Sequence, residues 1–244
     1  PLEQEQAASA AHVAPRQVMA DPPAAAVHLV GPGEPKSFAF DGVLGERATQ
    51  EQAYELVSRG IGSACLAGYN GSVYVYGQTG AGKTHTLFGA RSEDCARDAH
   101  SSRGLVCREL EHVFAEMGSR ALSQEPGALS YRCRCSFLEI YKEQITDLLD
   151  PINTGLQVRE DQRRGVYVEN LSEPVVRSLA EASQVFAQGC QQRRTGATHM
   201  NEQSSRSHAV FTLRVEVSRC RGGVTTTRVG RLSMIDLAGS ERQL

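Results

Sequence analysis

The chain has 244 residues, of which 40% are hydrophobic, and a formal net charge of −2. This length and apolar content suit one α/β domain with a hydrophobic core. The nearly neutral charge provides no general attraction to nucleic acid or to an acidic membrane, so we expect neither as a partner. No apolar run approaches the roughly 18 residues of a membrane span, and the first residues lack the basic segment of a signal peptide.

The seven cysteines are scattered along the chain. An odd number without ligand-like spacing is typical of free thiols in a reducing compartment, so we predict no disulfide framework. Cys133 and Cys135 are closely spaced, but they alternate with Tyr131 and Phe137 on the apolar side of a strand pattern. We therefore predict that both cysteines pack in the core and do not bind a metal.

The start of the chain predicts a lead-in followed by a domain. Residues 1–35 are rich in Ala, Pro and Gln and lack aromatic residues, so we expect a flexible lead-in with at most a short strand at residues 28–30. Residues 36–41 alternate apolar and polar side chains and predict a strand. We accordingly predict one domain over residues 36–244.

The segment Thr49-Gln50-Glu51-Gln52 matches a capping box, which predicts the start of a helix. The spacing that follows predicts that its buried face uses Ala53, Leu56, Val57 and Ile61. A second helix begins near residue 105, and its apolar stripe contains Leu110, Val113, Phe114 and Met117.

The remaining pattern predicts a strand at 131–141, a hairpin framed by 156–159 and 166–168, a helix from 179 to about 192, and strands at 209–217 and 231–235 joined at Gly222-Gly223. Strands that alternate with helices predict an α/β fold. We expect a central, mostly parallel mixed sheet with an antiparallel portion and helices on both faces.

The segment Gly77-Gln78-Thr79-Gly80-Ala81-Gly82-Lys83-Thr84, here called the phosphate loop, matches the G-x-x-x-x-G-K-[ST] pattern of nucleoside triphosphatases. It follows an apolar, β-prone run at residues 72–76 and precedes a segment that can open a helix. Its glycines allow backbone N–H groups to point at phosphate oxygens, and a helix N-terminus adds partial positive charge. We expect Lys83 to reach the β- and γ-phosphates and Thr84 to bind Mg²⁺.

Two later stretches are candidates for sensing the γ-phosphate and holding Mg²⁺. In the aspartate stretch, residues 236–242, Asp236 ends an apolar strand as a Walker B aspartate does, and Gly239 offers a backbone N–H. The serine stretch, residues 201–208, lies between a predicted helix and a predicted strand and carries adjacent serine hydroxyls followed by an arginine. By spacing alone, a solvated polar loop is the slightly better interpretation of the serine stretch.

The phosphate loop, the serine stretch and the aspartate stretch together resemble the phosphate loop, switch I and switch II of the kinesin motor domain in sequence, order and separation. The likeness covers roughly Phe38 to the end, and further agreement with this P-loop NTPase family occurs at residues 38–41, 68–71 and 136–141. Residues 165–171 and 193–198, with the ending Glu241-Arg242-Gln243, resemble the kinesin-12 class, and within it the plant, phragmoplast-associated members.

The resemblance implies an ATPase site that uses ATP and Mg²⁺. Lys83 and the backbone of the phosphate loop would hold the phosphates. Thr84 and Ser205 would bind Mg²⁺ directly, and Asp236 would hold it through water. His85 resembles a position that packs near the adenine, although a histidine on a helix surface fits the sequence equally well.

The resemblance also implies roles in hydrolysis for the two later stretches. Ser204 would help to place the attacking water, and Gly239 would sense the γ-phosphate. Arg206 and Glu241 would form the ion pair that closes the switches and organises the lytic water. Because phosphoryl transfer depends on positioning and electrostatics, loss of that pair is expected to slow hydrolysis far more than it weakens binding.

For the full-length protein the resemblance implies microtubules as the partner, plus-end movement, a homodimer formed through a coiled-coil stalk, and a cytoplasmic, cytoskeletal location at the spindle or phragmoplast. Arg159, Arg163 and Arg164 lie on the hairpin that resembles a tubulin-contacting loop, and the surface of tubulin is acidic. A solvated turn explains these residues equally well, because Glu160 and Asp161 dilute the positive charge.

The chain departs from the family at both ends. The R-x-R-P signature that lines the family's adenine pocket is absent, so we expect weak recognition of the base. The sequence stops at Leu244, before the relay helix, the main microtubule-binding elements and the neck linker of the family. We therefore expect a fragment, with a fold incomplete at both ends, that binds nucleotide weakly and does not move along microtubules.

Two other functions remain as alternatives to an ATPase motor. A P-loop GTPase or small-molecule kinase predicts an N-K-x-D signature or an arginine-rich lid, and the sequence contains neither. The other alternative is a non-motile nucleotide- or microtubule-binding module that keeps the fold without the activity. Evolved loss of activity is disfavoured, because the residues expected to act on ATP are intact: Lys83, Thr84, Arg206, Asp236 and Glu241. Loss of activity through truncation remains an alternative.

Overall fold

The computed structural model describes residues 18–31, 34–90, 102–123, 125, 128–162, 165–199 and 205–241, without the side chains of residues 196–199. The chain divides into two compact units, Pro1–Gln52 and Ala53–Leu244. No helix in the described ranges is long and apolar enough to cross a membrane.

The described part of the smaller unit is a three-stranded antiparallel sheet, formed by β1 (Val18–Asp21), β2 (Ala26–Leu29) and β3 (Lys36–Ala39) in that order. Strand β3 confirms the strand predicted at residues 36–41. The hairpin of β1 and β2 lies inside the predicted flexible lead-in. Its turn is closed by the Ala25 N–H, which donates to the Pro22 carbonyl at 3.1 Å. A short strand is stabilised by its hydrogen bonds to the strand beside it. Amino-acid composition alone does not show that such a neighbour is present.

The larger unit is built on a six-stranded mixed sheet of order β4-β11-β10-β5-β6, in which β9 also pairs with β5. The strands are β4 (Asn70–Val75), β5 (Leu129–Tyr141), β6 (Gln144–Asp147), β9 (Val175–Val176), β10 (His208–Arg221) and β11 (Val224–Asp236), and a separate hairpin contains β7 (Val158–Asp161) and β8 (Gly165–Val168).

The prediction of a mixed sheet is confirmed, but its parallel share is smaller than expected. Among the described ladders of this sheet only β4 and β11 pair in parallel. The difference arises because two tight turns reverse long strands. One is Gly222-Gly223 and the other is Lys142-Glu143, and all four residues have positive φ angles, the conformation of two-residue hairpin turns.

The helices are α1 (Gln50–Val57), α2 (Arg59–Leu66), α3 (Lys83–Phe88), α4 (Leu105–Leu122) and α5 (Leu179–His199). The predicted capping box is present, because the Thr49 and Gln52 backbone N–H groups donate to each other's side chains at 2.9 and 3.2 Å. The buried face predicted for this helix is wrong at Leu56 and Val57, which are both 49% exposed. Tyr54 and Ser58 are buried instead, and both carry hydroxyl groups, so a search for purely apolar side chains does not select them.

The core lies on one face of the sheet. Val73, Met234, Phe211 and Phe137 are paired neighbours on four adjacent strands, and all four are buried. Helices α2 to α5 contribute the apolar residues that pack against this face. On the other face a smaller cluster forms around Leu138, Ile145 and Leu156, to which the described helices contribute nothing. The apolar residues that the described helices bury therefore belong to the first of these two clusters.

The cysteines follow the prediction with one exception. Cys133 and Cys135 are buried free thiols in the core, as predicted, and Cys65, Cys190 and Cys220 are also free. Cys107 is disulfide-bonded, so the prediction of free thiols throughout is wrong there. A bridge depends on proximity in three dimensions, which spacing along the chain does not report. No cluster of three or more metal-binding side chains occurs in the described part of the chain.

Candidate nucleotide site

The phosphate loop connects the end of β4 to the start of α3. Gly80 and Gly82 have φ angles of 80° and 88°, and Gly82 is the N-cap of α3. Side chains other than glycine rarely adopt this conformation. A Cβ atom built at either glycine meets no atom within 4 Å. The loop is therefore open at these two positions, as the close approach of a phosphate group requires.

Lys83 lies against the inside of the phosphate loop. Its ammonium donates hydrogen bonds to the carbonyl oxygens of Gly77, at 2.8 Å, and Gln78, at 2.9 Å. The Ala81 N–H donates to the same Gln78 carbonyl at 3.2 Å. The predicted phosphate-binding residues are thus gathered around one positive charge.

Thr84 and Asp236 meet at the edge of the sheet where β4 and β11 end. The parallel register pairs Asp236 with Val75, so the two strands end at the same level. The Thr84 hydroxyl donates to Asp236 Oδ2 at 2.7 Å. Asp236 is 1% exposed, and its other oxygen, Oδ1, is buried and has no hydrogen-bond partner in the described residues.

A buried arginine that the motif reasoning missed also contacts Asp236. Arg193 on α5 donates from Nη1 to Asp236 Oδ2 at 2.6 Å and from Nε to Glu139 Oε1 at 3.4 Å. The Ser207 hydroxyl donates to that same Glu139 oxygen at 2.6 Å. The sequence did carry a signal for this contact, because Glu139 stands within an apolar part of strand β5. A buried charge requires a partner, so a buried cation such as Arg193 could have been expected.

The backbones of the three motif segments are joined by hydrogen bonds. The Gly239 N–H donates to the Ser205 carbonyl at 2.7 Å, and the Ser240 N–H donates to the Gly77 carbonyl at 3.1 Å. The Ala238 N–H donates to His208 Nδ1 at 3.1 Å. The aspartate stretch thus contacts both the serine stretch and the phosphate loop, which lie far apart in the sequence.

Glu241 is held by the phosphate loop. Thr79 donates its backbone N–H to Glu241 Oε2 at 2.9 Å and its hydroxyl to Oε1. The Thr79 hydroxyl is the main reason that the pKa of Glu241 is lowered to about 2. Glu241 thus contacts the phosphate loop, and its ion pair with Arg206 stays a prediction.

Some predicted residues contribute less to this geometry. Ser204, Arg163 and Arg164 lie outside the described residues. His85 is exposed on α3, so its contact with an adenine stays a prediction. Arg159 pairs with Glu169 at 3.0 Å, which offsets its charge on the β7–β8 hairpin.

The residues present fit a magnesium–nucleotide complex. Hydroxyl and carboxylate oxygens are the ligands that Mg²⁺ prefers, and Thr84 and Asp236 bring one of each together. The unpartnered Asp236 Oδ1 adds an acceptor that is free to accept from a bound water. An open glycine loop with a lysine beside it supplies the complementary phosphate contacts.

Comparisons with known proteins show what this chain is similar to. A family model described as "Kinesin motor domain" matches residues 1–244, which extends beyond the resemblance expected from Phe38 onward. "Kinesin-like protein KIN-12A" of Arabidopsis thaliana is 46% identical over 215 residues, covering 85% of this chain and 16% of that protein. "Kinesin-like protein KIF15" of Strongylocentrotus purpuratus is 45% identical over 210 residues, covering 86% of this chain and 14% of that protein.

A solved structure also shares the fold. It is described as "Structure of a fast kinesin: Implications for ATPase mechanism and interactions with microtubules". The match has a TM-score of 0.83 and 34% sequence identity, and it covers 93% of this chain and 60% of that one. The chain therefore spans about one sixth of the length of its curated relatives and a little over half of a solved motor chain.

Proposed function

Because this chain belongs to the kinesin motor domain family and is similar to kinesin-12 proteins, we propose that it binds Mg²⁺ and ATP at the phosphate loop and hydrolyses ATP as part of a microtubule motor. The family consists of ATPase motors that act on microtubules. The observation that carries the proposal is the contact of Thr84 with Asp236, whose second carboxylate oxygen is buried without a partner among the described residues.

The chain's own residues supply the binding of the phosphates. Lys83 already points its ammonium into the phosphate loop, where it adds positive charge beside the backbone N–H groups. Thr84, Asp236 and Ser205 would hold Mg²⁺, which when bound neutralises charge on the phosphates. Arg193 supports this arrangement indirectly, because its buried guanidinium donates to the Asp236 carboxylate and restrains its position.

Hydrolysis depends on the two stretches that contact the loop. Gly239 is proposed to sense the γ-phosphate through its N–H, which now donates to the Ser205 carbonyl. Ser204 and Arg206 of the serine stretch are proposed to place the attacking water and to pair with Glu241. Glu241 now accepts from Thr79, so pairing with Arg206 would require it to leave the loop, which is the kind of discrete switch that a motor needs.

The wider assignments rest on the family alone. We propose microtubules as the partner, a cytoskeletal location at the spindle or phragmoplast, and a homodimer of the full-length protein. Neither nucleic acid nor a membrane is proposed as a partner, since the net charge of −2 offers no attraction to either polyanion.

The test is ATP turnover by the chain with and without microtubules, beside a Lys83→Ala variant. Turnover that microtubules stimulate and that the variant abolishes is the expected result. Binding of ATP and microtubules without turnover would instead support the alternative, a non-motile module that keeps the fold. Equal turnover by the Lys83→Ala variant would contradict the assignment of the phosphate loop.

A further inference from the structure

A small cavity lies at the end of β11 opposite to Asp236. Its volume is about 280 Å³. Its apolar lining includes Leu66, Leu129 and Val217, which come from α2, β5 and β10. The cavity belongs to the larger unit and shares no lining residue with the phosphate loop.

The strand register brings cationic and hydroxyl side chains to this cavity. Tyr131, Val217 and Arg228 are direct neighbours across β5, β10 and β11, so their side chains stand in one row on the same face. Arg219 and Thr226 stand in the next row and also line the cavity. The arrangement therefore depends on the sheet and not on a mobile loop.

The charges around the cavity are unbalanced. Arg120, at the end of α4, lines the cavity and pairs with Glu116 at 2.6 Å. Arg219 and Arg228 form no ion pair with any residue in the described ranges. Three guanidinium groups are thus opposed by one carboxylate, which leaves an excess of two positive charges.

Tyr131, whose side chain lines this cavity, carries an unused hydrogen-bond donor. It is shielded from solvent, and no described residue hydrogen-bonds with it. Burial raises the pKa of Tyr131, so the phenol keeps its proton at neutral pH. A protected donor without a partner costs free energy, which a bound acceptor would recover.

We propose that this cavity binds a small anion of the phosphate class. Arginine matches the geometry of phosphate oxygens, and two excess positive charges equal the charge of the hydrogen phosphate dianion. The Tyr131 hydroxyl would donate to one phosphate oxygen, and Arg219 and Arg228 would contact the others. The site is separate from the nucleotide site and adds a second point at which phosphate concentration acts on the protein.

The test measures the binding of inorganic phosphate to the full chain by isothermal titration calorimetry. The measurements use a Lys83→Ala background, so that the phosphate loop does not contribute its proposed binding. Arg219→Gln and Arg228→Gln are each expected to weaken binding about fivefold, and Tyr131→Phe about twofold, because the charges are partly screened by solvent. Arg219 and Arg228 are exposed, so their replacement is compatible with folding.

The control is Arg132→Gln, an exposed arginine on β5 that does not line this cavity. Its phosphate affinity is expected to equal that of the background protein. Phosphate should also bind more tightly than acetate, a monoanion. The proposal would be overturned if the background protein bound no phosphate, or if Arg132→Gln weakened binding as much as the cavity variants do. It would also be overturned if Arg219→Gln or Arg228→Gln left the affinity unchanged, or if acetate bound as tightly as phosphate.

Discussion

Thr79 of the phosphate loop donates its backbone N–H and its hydroxyl to the carboxylate of Glu241, 162 residues later in the chain. The contact closes the aspartate stretch over the loop. It uses both oxygens of a carboxylate whose proposed partner is Arg206. Two arrangements of the site therefore differ in the partner of the Glu241 carboxylate, which is Thr79 of the phosphate loop in one and Arg206 in the other.

A Glu241→Gln variant should separate hydrolysis from binding. The amide keeps the shape of the side chain but loses the charge required to pair with Arg206. We expect kcat to fall by about 10²-fold, the usual cost of misplacing a reacting group, while the affinity for ATP changes far less. Steady-state turnover and equilibrium nucleotide binding measure the two effects. A parallel loss of both would contradict the role of Glu241 in hydrolysis.

The titration of Glu241 should report the loop contact directly. Its pKa of about 2 lies below the ordinary value of 4.5, chiefly because the Thr79 hydroxyl donates to the charged form. A lowered pKa means that the contact is fully present above about pH 4.5 and is lost as the pH falls through about 2. In a Thr79→Val variant the pKa should rise toward 4.5, which ¹³C NMR of the carboxyl group measures. An unchanged value would mean that the hydroxyl is not the cause.

Replacing Arg193 should destabilise the protein strongly. Arg193→Met leaves the buried carboxylates of Asp236 and Glu139 without their cation. Breaking a buried pair in this way costs about 3–5 kcal/mol in the free energy of unfolding. Urea denaturation gives the value. The matched control is Arg59→Met, whose partner Glu55 is exposed and whose loss should change the free energy of unfolding far less than the loss of Arg193.

Stability should fall with rising pH because of Glu109. Its carboxylate is 1% exposed, and neither oxygen has a hydrogen-bond partner in the described structure. Burial raises the pKa of Glu109 from 4.5 to about 7. Between these two pH values the folded state binds more protons than the unfolded state. The contribution of protonated Glu109 to stability is therefore complete below pH 4.5 and is lost as the pH rises through about 7.

The corresponding variant is Glu109→Gln, which stays neutral at every pH. It should be more stable than the parent at pH 8, by at most about 3 kcal/mol, and should differ little at pH 5. Thermal denaturation at the two pH values measures the difference. If the parent and the variant show the same dependence on pH, another group is responsible.

Two helical glycines offer a matched pair for packing. A Cβ atom at Gly189 on α5 would overlap the ring of Phe137, whereas one at Gly118 on α4 meets nothing within 4 Å. Gly189→Ala should therefore destabilise the protein by about 1–3 kcal/mol. Gly118→Ala should stabilise it by up to about 1 kcal/mol through helix propensity. Chemical denaturation compares them, and effects of the same sign would contradict this packing.

Motif chemistry singled out several residues that the structure brings together at the candidate site. The phosphate loop, the strand before it and the aspartate at the end of β11 follow from short patterns whose chemistry is local. Arg193, Glu139 and the contact of Thr79 with Glu241 did not follow, because they depend on which distant elements the sheet brings together. Their partners lie 43 to 162 residues away in the chain.

The fold was predictable where one face of an element is apolar. The strands that contain Phe137 and Phe211 alternate cleanly, and the structure confirms them. Prediction failed at Leu56 and Val57, because the buried residues of that helix are Gln50 and Tyr54, which a count of purely apolar side chains does not select. It also overestimated parallel pairing, since a hairpin turn such as Lys142-Glu143 carries no glycine to mark it.

The pairing of β4 with β11 makes the site sensitive to chain length as well as to side-chain identity. Six consecutive residue pairs, from Arg231 with Asn70 to Asp236 with Val75, fix this register. Deleting one residue within β11 would turn every later side chain of the strand to the opposite face, and Asp236 would then point away from Thr84. Insertions at the Gly222-Gly223 turn precede the paired segment and leave it intact. Length variation is therefore tolerable at the hairpin tip and disabling within the paired segment from Arg231 to Asp236.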